Sequence, residues 1–347
     1  MTLAVQYTAA RTLTTVSGST SSPGPGEIEV APAFVGICGA DLHIFHGDMD
    51  GRVDRPVVLG HEMSGRVVRV GPDVSGWQPG DTVTVVPLRW DDTCPACRAG
   101  HRHVCQNLDF IGIDSPGAMQ QRWIVPASTL VRLPAALLLD RAALVEPTAV
   151  AVHDVGRADV QEGEKVVVVG GGPVGVLIAL VAASEGADVR VVELGAHRRK
   201  LAEQLGLTAW DPAAVDVPAL VQEWTQGAGA DVAFEVSGAA AGVDTAVDVL
   251  RVRGRLCLVA IHARPREVNL HRFFWRELTL VGARLYSRSD FETAVGLVSE
   301  GTVPAHRLIS KVVPMAEAAS AFTALEGGGD VMKILVDCGE DNQEAHA

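Results

Sequence analysis

Three things are scarce in this 347-residue sequence: aromatic side chains, positive charge, and apolar runs long enough to cross a membrane. With aromatics at only 5% and apolar residues at 48%, the core has to be built from aliphatic side chains, and the 36 glycines suit tight strand-to-helix turns. That texture points to an α/β protein. The 29 basic residues are outnumbered by 42 acidic ones, and a net charge of -13 repels phosphate backbones and anionic lipid headgroups alike. Nucleic acid and membrane surfaces are thereby excluded as expected partners. No segment reaches the ~20 apolar residues of a membrane span. The opening stretch MTLAVQYTAARTLTTV lacks the basic start and unbroken apolar run of a signal peptide, so the expected location is the cytoplasm. Internal repeats and low-complexity tracts are also missing, and a chain of this length is expected to form two domains.

What is present changes character along the chain. Residues 1–150 read as β-rich: EIEVAPAFVGI, SGRVVRVG and DTVTVVP are separated by the turn-forming SPGPGE, VGPDVSGWQPGD and DSPG. After EPTAVAVHDV, Lys165–Val169 (KVVVV) reads as a buried strand, GGGPVG as a turn, and VGVLIALVAASEG as a helix closed by Gly186. DVRVVEL, DVAFEVSG, RLCLVAIH and LTLVGARL continue the alternation of strands with helical or loop segments such as AHRRKLAEQLG, which predicts a mostly parallel, doubly wound sheet. From residue 288, SDFETAVGLVSEG predicts a helix and KILVDC a strand returning to the first domain, with DNQEAHA as a frayed tail. The expected division is therefore 1–150 plus 288–347 for one domain and 151–287 for the other.

Between a strand and a helix, Gly170-Gly171-Gly172-Pro173-Val174-Gly175 fits the G-x-G-x-x-G pattern, whose glycines let a pyrophosphate approach backbone amides at a helix N-terminus. The motif alone is weak and could be a glycine turn packed for structure. It gains weight from Glu193, 18 residues after Gly175, where a carboxylate can accept from both hydroxyls of a ribose. An acid there repels a 2′-phosphate and predicts NAD over NADP, an inference weakened by Arg198 and Arg199 nearby.

Six cysteines in a reducing compartment argue for metal before disulfides, because Cys94, Cys97 and Cys105 crowd into WDDTCPACRAGHRHVC. A structural zinc site normally closes with four protein ligands, and only three cysteines are there. Earlier in the chain Cys38 in GICGADLH, His61 and Glu62 in GHE, and Glu146 in VEPTAVAVH offer a thiolate, an imidazole and carboxylates. Three such ligands leave zinc a fourth position for substrate. Taken singly, each also has an ordinary reading: a buried cysteine is usually a small hydrophobe, and a glutamate before proline usually starts a helix.

In this order, and with the glycine turn behind them, these residues resemble the zinc-dependent medium-chain alcohol and polyol dehydrogenases over essentially the whole chain. The likeness is greatest to the 2,3-butanediol, sorbitol and threonine dehydrogenase branch. VEPTAVAVH, FEVSG and VAIHARPREVNLHRFFWRELTLVGA are especially like butanediol dehydrogenases. The resemblance implies a GroES-like catalytic domain beside a Rossmann domain. It also implies a catalytic zinc on Cys38, His61 and Glu146, with Glu62 beside the metal or bound to it. Relatives with a second, structural zinc carry Cys-x-x-Cys-x-x-Cys-x7-Cys, which places Asp91 where the first cysteine would stand. Asp91, Cys94, Cys97 and Cys105 are then the expected structural site, with Asp92, His101 or His103 as competing fourth ligands and a metal-free lobe as the remaining possibility.

The implied reaction is reversible hydride transfer between a secondary alcohol, a vicinal diol or polyol of the butanediol kind, and NAD. Many relatives carry Ser or Thr two residues after the zinc-binding cysteine to relay the alcohol proton, whereas this chain has Ala40. His43 stands at a position compatible with the end of that relay, its alternative being a structural or cofactor-contacting histidine. Threonine, sorbitol and cyclic aminopolyol dehydrogenases, metal-free quinone or enoyl reductases, and a non-catalytic NAD-binding protein are the competing readings. Relatives also predict a homodimer or homotetramer joined through LTLVGARL, whose edge can pair across a twofold axis.

Overall fold

Lys165–Val169 buries four consecutive valines, and everything around it is arranged to cover them on both faces. The computed structural model describes residues 1–262, 264–327 and 330–339. The chain falls into two units, Met1–Glu146 with Ser287–Ala347 and Pro147–Tyr286. The first boundary lies inside the helix Val145–Arg157, where composition gives no sign of a break.

In Pro147–Tyr286 the strands lie in the order Thr208–Trp210, Asp188–Val192, Lys165–Val169, Ala230–Glu235, Leu250–Leu258 and Thr279–Gly282, all parallel. The chain runs outward on one side of Lys165–Val169 and then returns to build the other side, so the strand order reverses between Lys165–Val169 and Ala230–Glu235. In open α/β sheets the crevice beyond the carboxyl ends of strands at such a reversal is where ligands bind. The helix Pro173–Ser184 starts with proline at its first turn and is buried from Gly175 to Ala182, which explains why PVGVLIALVAAS is apolar on every face. It ends just before Gly186, whose φ of 85° reverses the chain. The strand expected over DVRVVEL stops at Val192, which leaves Glu193 outside the ladder at the sheet's carboxyl end.

The other unit is built on a sheet of short strands in the order Leu130–Arg132, Thr82–Val85, Glu62–Val70, Glu27–Gly36, Lys333–Asp337 and Ile309–Pro314. The returning strand Lys333–Asp337 is antiparallel to Glu27–Gly36, whose other edge pairs with Glu62–Val70. The segment after residue 288 thus completes the sheet begun by the N-terminal half. A second sheet holds Thr12–Gly18, Thr2–Ala9 and Val57–Val58. The helix from Arg288 to Ser299 and the strand KILVD lie where the sequence predicts them, while DNQEAHA falls outside the described residues. Among the described residues no helix is long and apolar enough to cross a membrane.

Candidate metal centres and cofactor site

Cys38 ends the approach from Glu27–Gly36 and forms the N-cap of the helix Gly39–His46, where Asp41 Oδ2 accepts from the Cys38 amide at 2.9 Å. This local closure fixes both side chains. The other oxygen of Asp41 faces Nδ1 of His61 at 3.7 Å, and both residues are fully buried. His61 precedes the strand Glu62–Val70 and packs its ring on Phe110 with centroids 4.9 Å apart. Glu62, the first residue of that strand, accepts from Lys333 Nζ with both oxygens, at 2.8 and 2.7 Å. Lys333 reaches it because Gly36, paired with Glu62 on the intervening strand, has no side chain to block the way: a Cβ there would collide with the Glu62 carboxylate.

The ligand atoms of Cys38, His61 and Glu62 all lie within 4.8 Å of one another. Glu146, in the first turn of Val145–Arg157, is buried but is not one of these three. Its charge is nonetheless felt, since Asp41, Cys38 and Glu146 together hold His61 well above the ordinary imidazole value although burial works the other way. Burial, reinforced by Glu62, raises the Cys38 thiol, while His61 and Lys333 oppose that rise. Burial also raises Asp41, against the pull of His61. Two buried polar atoms here, Asp41 Oδ1 and His61 Nδ1, have no hydrogen-bond partner, which is uncommon in a relaxed interior. A thiol, an imidazole backed by a carboxylate and a further carboxylate suit zinc: deprotonation of Cys38 on binding would give the charge a partner, and Asp41 is placed to orient the imidazole.

His43 stands apart from this cluster. It lies on the helix Gly39–His46, is partly exposed, and pairs through Nδ1 with Asp48 Oδ2 at 3.2 Å.

In the lobe, Cys94 caps the short helix Pro95–Arg98 and its sulfur accepts from the amides of Cys97 and Gln106 at 3.4 and 3.5 Å. Cys105 Sγ accepts from the Asn107 amide at 3.3 Å and lies 3.8 Å from Cys94 Sγ. Asp91 completes the group: its carboxylate and the three sulfurs lie within 4.8 Å of one another. Oδ1 of Asp91 accepts from the amides of Thr93 and Cys94 at 2.8 and 2.9 Å, and Oδ2 from Asn107 Nδ2 at 2.6 Å. Those donors hold its pKa well below the usual carboxylate range. Amide donors likewise lower Cys94, whereas burial and the neighbouring thiols push Cys97 up to about 12. Converging thiols with amide donors on their sulfurs fit a tetrahedral zinc. Asp92 points elsewhere, to Arg102 at 2.6 Å, and His101 and His103 stack edge-on with each other at 6.4 Å.

The glycine turn is tight enough to require glycine at two positions. Gly170 has φ 111°, and a Cβ on Gly175 would strike the Gly170 carbonyl, so the helix can start directly against the turn only with glycine at both positions. Gly172 is the N-cap, and Pro173 and Val174 open the helix. Glu193 spans the mouth, accepting from the Gly171 amide at 2.7 Å and the Gly195 amide at 2.6 Å. Arg198 lies 4.0 Å from Glu193, whereas Arg199 is committed to Asp211 at 2.8 Å.

Sequence reasoning missed Asp41 and Lys333. Asp41 had a signal, an acid three residues into a helix begun by Cys38. Lys333 had a fainter one, a lone cation opening an apolar strand.

The chain matches the Alcohol dehydrogenase GroES-like domain over residues 24–135 and the Zinc-binding dehydrogenase family over residues 173–300. It is 45% identical to the 2-dehydro-3-deoxy-L-galactonate 5-dehydrogenase of Pseudoalteromonas atlantica, across 96% of this chain and 98% of that protein. The crystal structure of 2R,3R-butanediol dehydrogenase from Bacillus subtilis superposes with a TM-score of 0.90 at 29% identity, covering 97% of this chain and 99% of the other. A Sinorhizobium meliloti protein bound to NADP gives 0.91 at 30%, with the same coverages of 97% and 99%.

Proposed function

The chain belongs to the zinc-dependent medium-chain alcohol and polyol dehydrogenases, and from that premise we propose that it reversibly oxidises a secondary alcohol within a polyol or sugar acid, with NAD as hydride acceptor. The observation that carries this reading is the buried group of Cys38, His61 and Glu62 with Asp41 behind the imidazole. Cys38, His61 and Glu146 would hold the catalytic zinc, with Glu62 as the adjacent carboxylate. Zinc at such a site supplies Lewis-acid polarisation of the substrate oxygen. Asp41 fixes the ring of His61, and Lys333 holds Glu62 in place. Ala40 contributes no hydroxyl, so the alcohol proton leaves by water towards His43, whose Nδ1 is engaged by Asp48 and whose Nε2 takes it up. Asp91, Cys94, Cys97 and Cys105 would hold the second, structural zinc.

In the second unit Gly170, Gly172, Pro173, Val174 and Gly175 would receive the pyrophosphate, and Glu193 would accept from the ribose hydroxyls. That carboxylate supports NAD; Arg198 beside it and the NADP bound to a relative make NADP the competitor to test. The name of the 45%-identical relative supports a sugar acid, and the butanediol dehydrogenase likeness supports a vicinal diol, so a hydroxyl beside the reacting carbinol is the shared element. The butanediol-like expectation is thereby widened to larger, carboxylate-bearing substrates. An acidic protein with free thiols suits a cytoplasmic enzyme of small molecules. The edge strand Thr279–Gly282, with Leu280 exposed, suits pairing with a second copy.

The test is nicotinamide reduction with deoxy sugar acids, sorbitol, xylitol, threonine and 2,3-butanediol in parallel. Fastest turnover on a sugar acid or polyol supports the proposal; turnover confined to threonine or simple primary alcohols overturns it.

A further inference from the structure

At the carboxyl end of the parallel sheet, on the side away from Glu193, Glu235 is a fully buried acid that neither the metal nor the ribose reading uses. It ends the strand Ala230–Glu235. Its Oε1 accepts from the Ser237 amide at 2.9 Å, the Ser237 hydroxyl at 2.5 Å and the Gly238 amide at 3.0 Å. Its Oε2 meets Nε2 of His262 at 2.9 Å. Arg266 Nε donates to Nδ1 of His262 at 3.3 Å and its Nη2 to the Gly238 carbonyl at 3.3 Å, which returns the network to its start. The result is a closed polar ring joining the turn after one strand to the loop after the next.

A guanidinium can only donate, so Nδ1 of His262 must accept, and the ring proton therefore sits on Nε2, aimed at Glu235. The imidazole is thus held in one orientation between Glu235 and Arg266. Room for the arrangement is provided by Gly242, where a Cβ would collide with the Ser237 hydroxyl and meet Glu235 Oε1 at 2.9 Å. The ring also abuts the glycine turn: a Cβ on Gly170 would lie 2.9 Å from the Ser237 amide, and the Val236 amide donates to the Val169 carbonyl at 2.9 Å.

We infer that Glu235, His262 and Arg266 are positioning residues for the nicotinamide ring of the cofactor. This rests on the dinucleotide reading above. The sheet reverses its order between Lys165–Val169 and Ala230–Glu235, and a dinucleotide lies across that reversal with one mononucleotide on each side. Glu193, after Asp188–Val192, marks the adenosine side. The remaining half falls on the turns that follow Ala230–Glu235 and Leu250–Leu258, and the ring fixes these two turns to each other.

The experiment measures binding of NADH and of ADP-ribose, which lacks the nicotinamide, to the wild-type protein and to Glu235→Gln, His262→Ala, His262→Gln and Arg266→Ala. Arg266 is exposed, so its replacement leaves the fold intact. NADH affinity should fall about tenfold in His262→Ala and Arg266→Ala, the scale of one or two lost hydrogen bonds, with ADP-ribose affinity unchanged. His262→Gln, which keeps a donor for Glu235, should recover most of the loss. Nitrogen-15 NMR should show a His262 proton on Nε2. Parallel weakening of both ligands, or unchanged NADH binding, overturns the inference while leaving the cofactor reading standing. A wild-type protein that binds neither ligand overturns both.

Discussion

At Asp91 a carboxylate stands beside three thiols, and the structure shows what this chain adds around it. One oxygen is fixed by two backbone amides and the other by Asn107, so the group is ionised and oriented before any metal arrives. Replacing it with alanine should lower metal content from about two zinc ions per chain to about one without touching the Cys38 site, while Asp91→Cys should tighten retention against a chelator. Elemental analysis after dialysis reads both, and unchanged zinc in Asp91→Ala would transfer the fourth position to another residue. Lys333 and Glu62 form a buried ion pair, both below 5% exposed. Lys333→Met leaves the carboxylate buried and alone, which costs about 3–5 kcal/mol, and the double replacement with Glu62→Gln should recover most of it in denaturant unfolding. A single-variant loss near zero would contradict the pair's role. Residues of this kind mark the limit of what the sequence reveals. Cys38, His61 and the lobe are recognisable from motifs, but Lys333 and Glu62 are separated by 271 positions, and only the insertion of the last strand beside Glu27–Gly36 brings them together.

Elements were legible where their periodicity was unambiguous. KVVVV coincides with a strand and PVGVLIALVAAS with a buried helix, because β-branched runs and an all-apolar helix behind a proline each admit few alternatives. The next strand ends earlier than its pattern in sequence: it stops at Val192, and although the Glu193 amide still donates to the Trp210 carbonyl at 3.0 Å, its carboxylate turns to accept from the amides of Gly171 and Gly195. If Glu193 holds the ribose as proposed, Glu193→Ala should reduce catalytic efficiency with NAD about tenfold and raise that with NADP, since one carboxylate would both accept from ribose and repel a 2′-phosphate. Equal changes for both cofactors would remove Glu193 from the discrimination. On the opposite edge of the same sheet, the helix Leu270–Arg276 and the strand Thr279–Gly282 expose Leu270, Phe274, Trp275 and Leu280. If that edge pairs between copies, Leu280→Lys should shift the light-scattering mass towards a single chain, whereas an unchanged mass would place the interface elsewhere.

For the whole molecule, the sequence changes from Pro/Gly-punctuated alternation to strand–helix alternation near residue 150, and the chain falls into units that divide after Glu146 and after Tyr286. The boundary itself was hidden, because the helix Val145–Arg157 runs through it and carries Glu146 at its first turn. What no single stretch could show was the convergence of Cys38, His61, Asp41 and Glu62, which arrive from a helix cap, a loop and the start of a strand. That convergence is tested by zinc content together with nicotinamide-linked alcohol oxidation in the wild-type protein and in Cys38→Ser. The prediction is about two zinc ions and turnover in the wild type, and about one zinc ion with turnover lost in the variant. Retention of both metal and turnover by Cys38→Ser would contradict it.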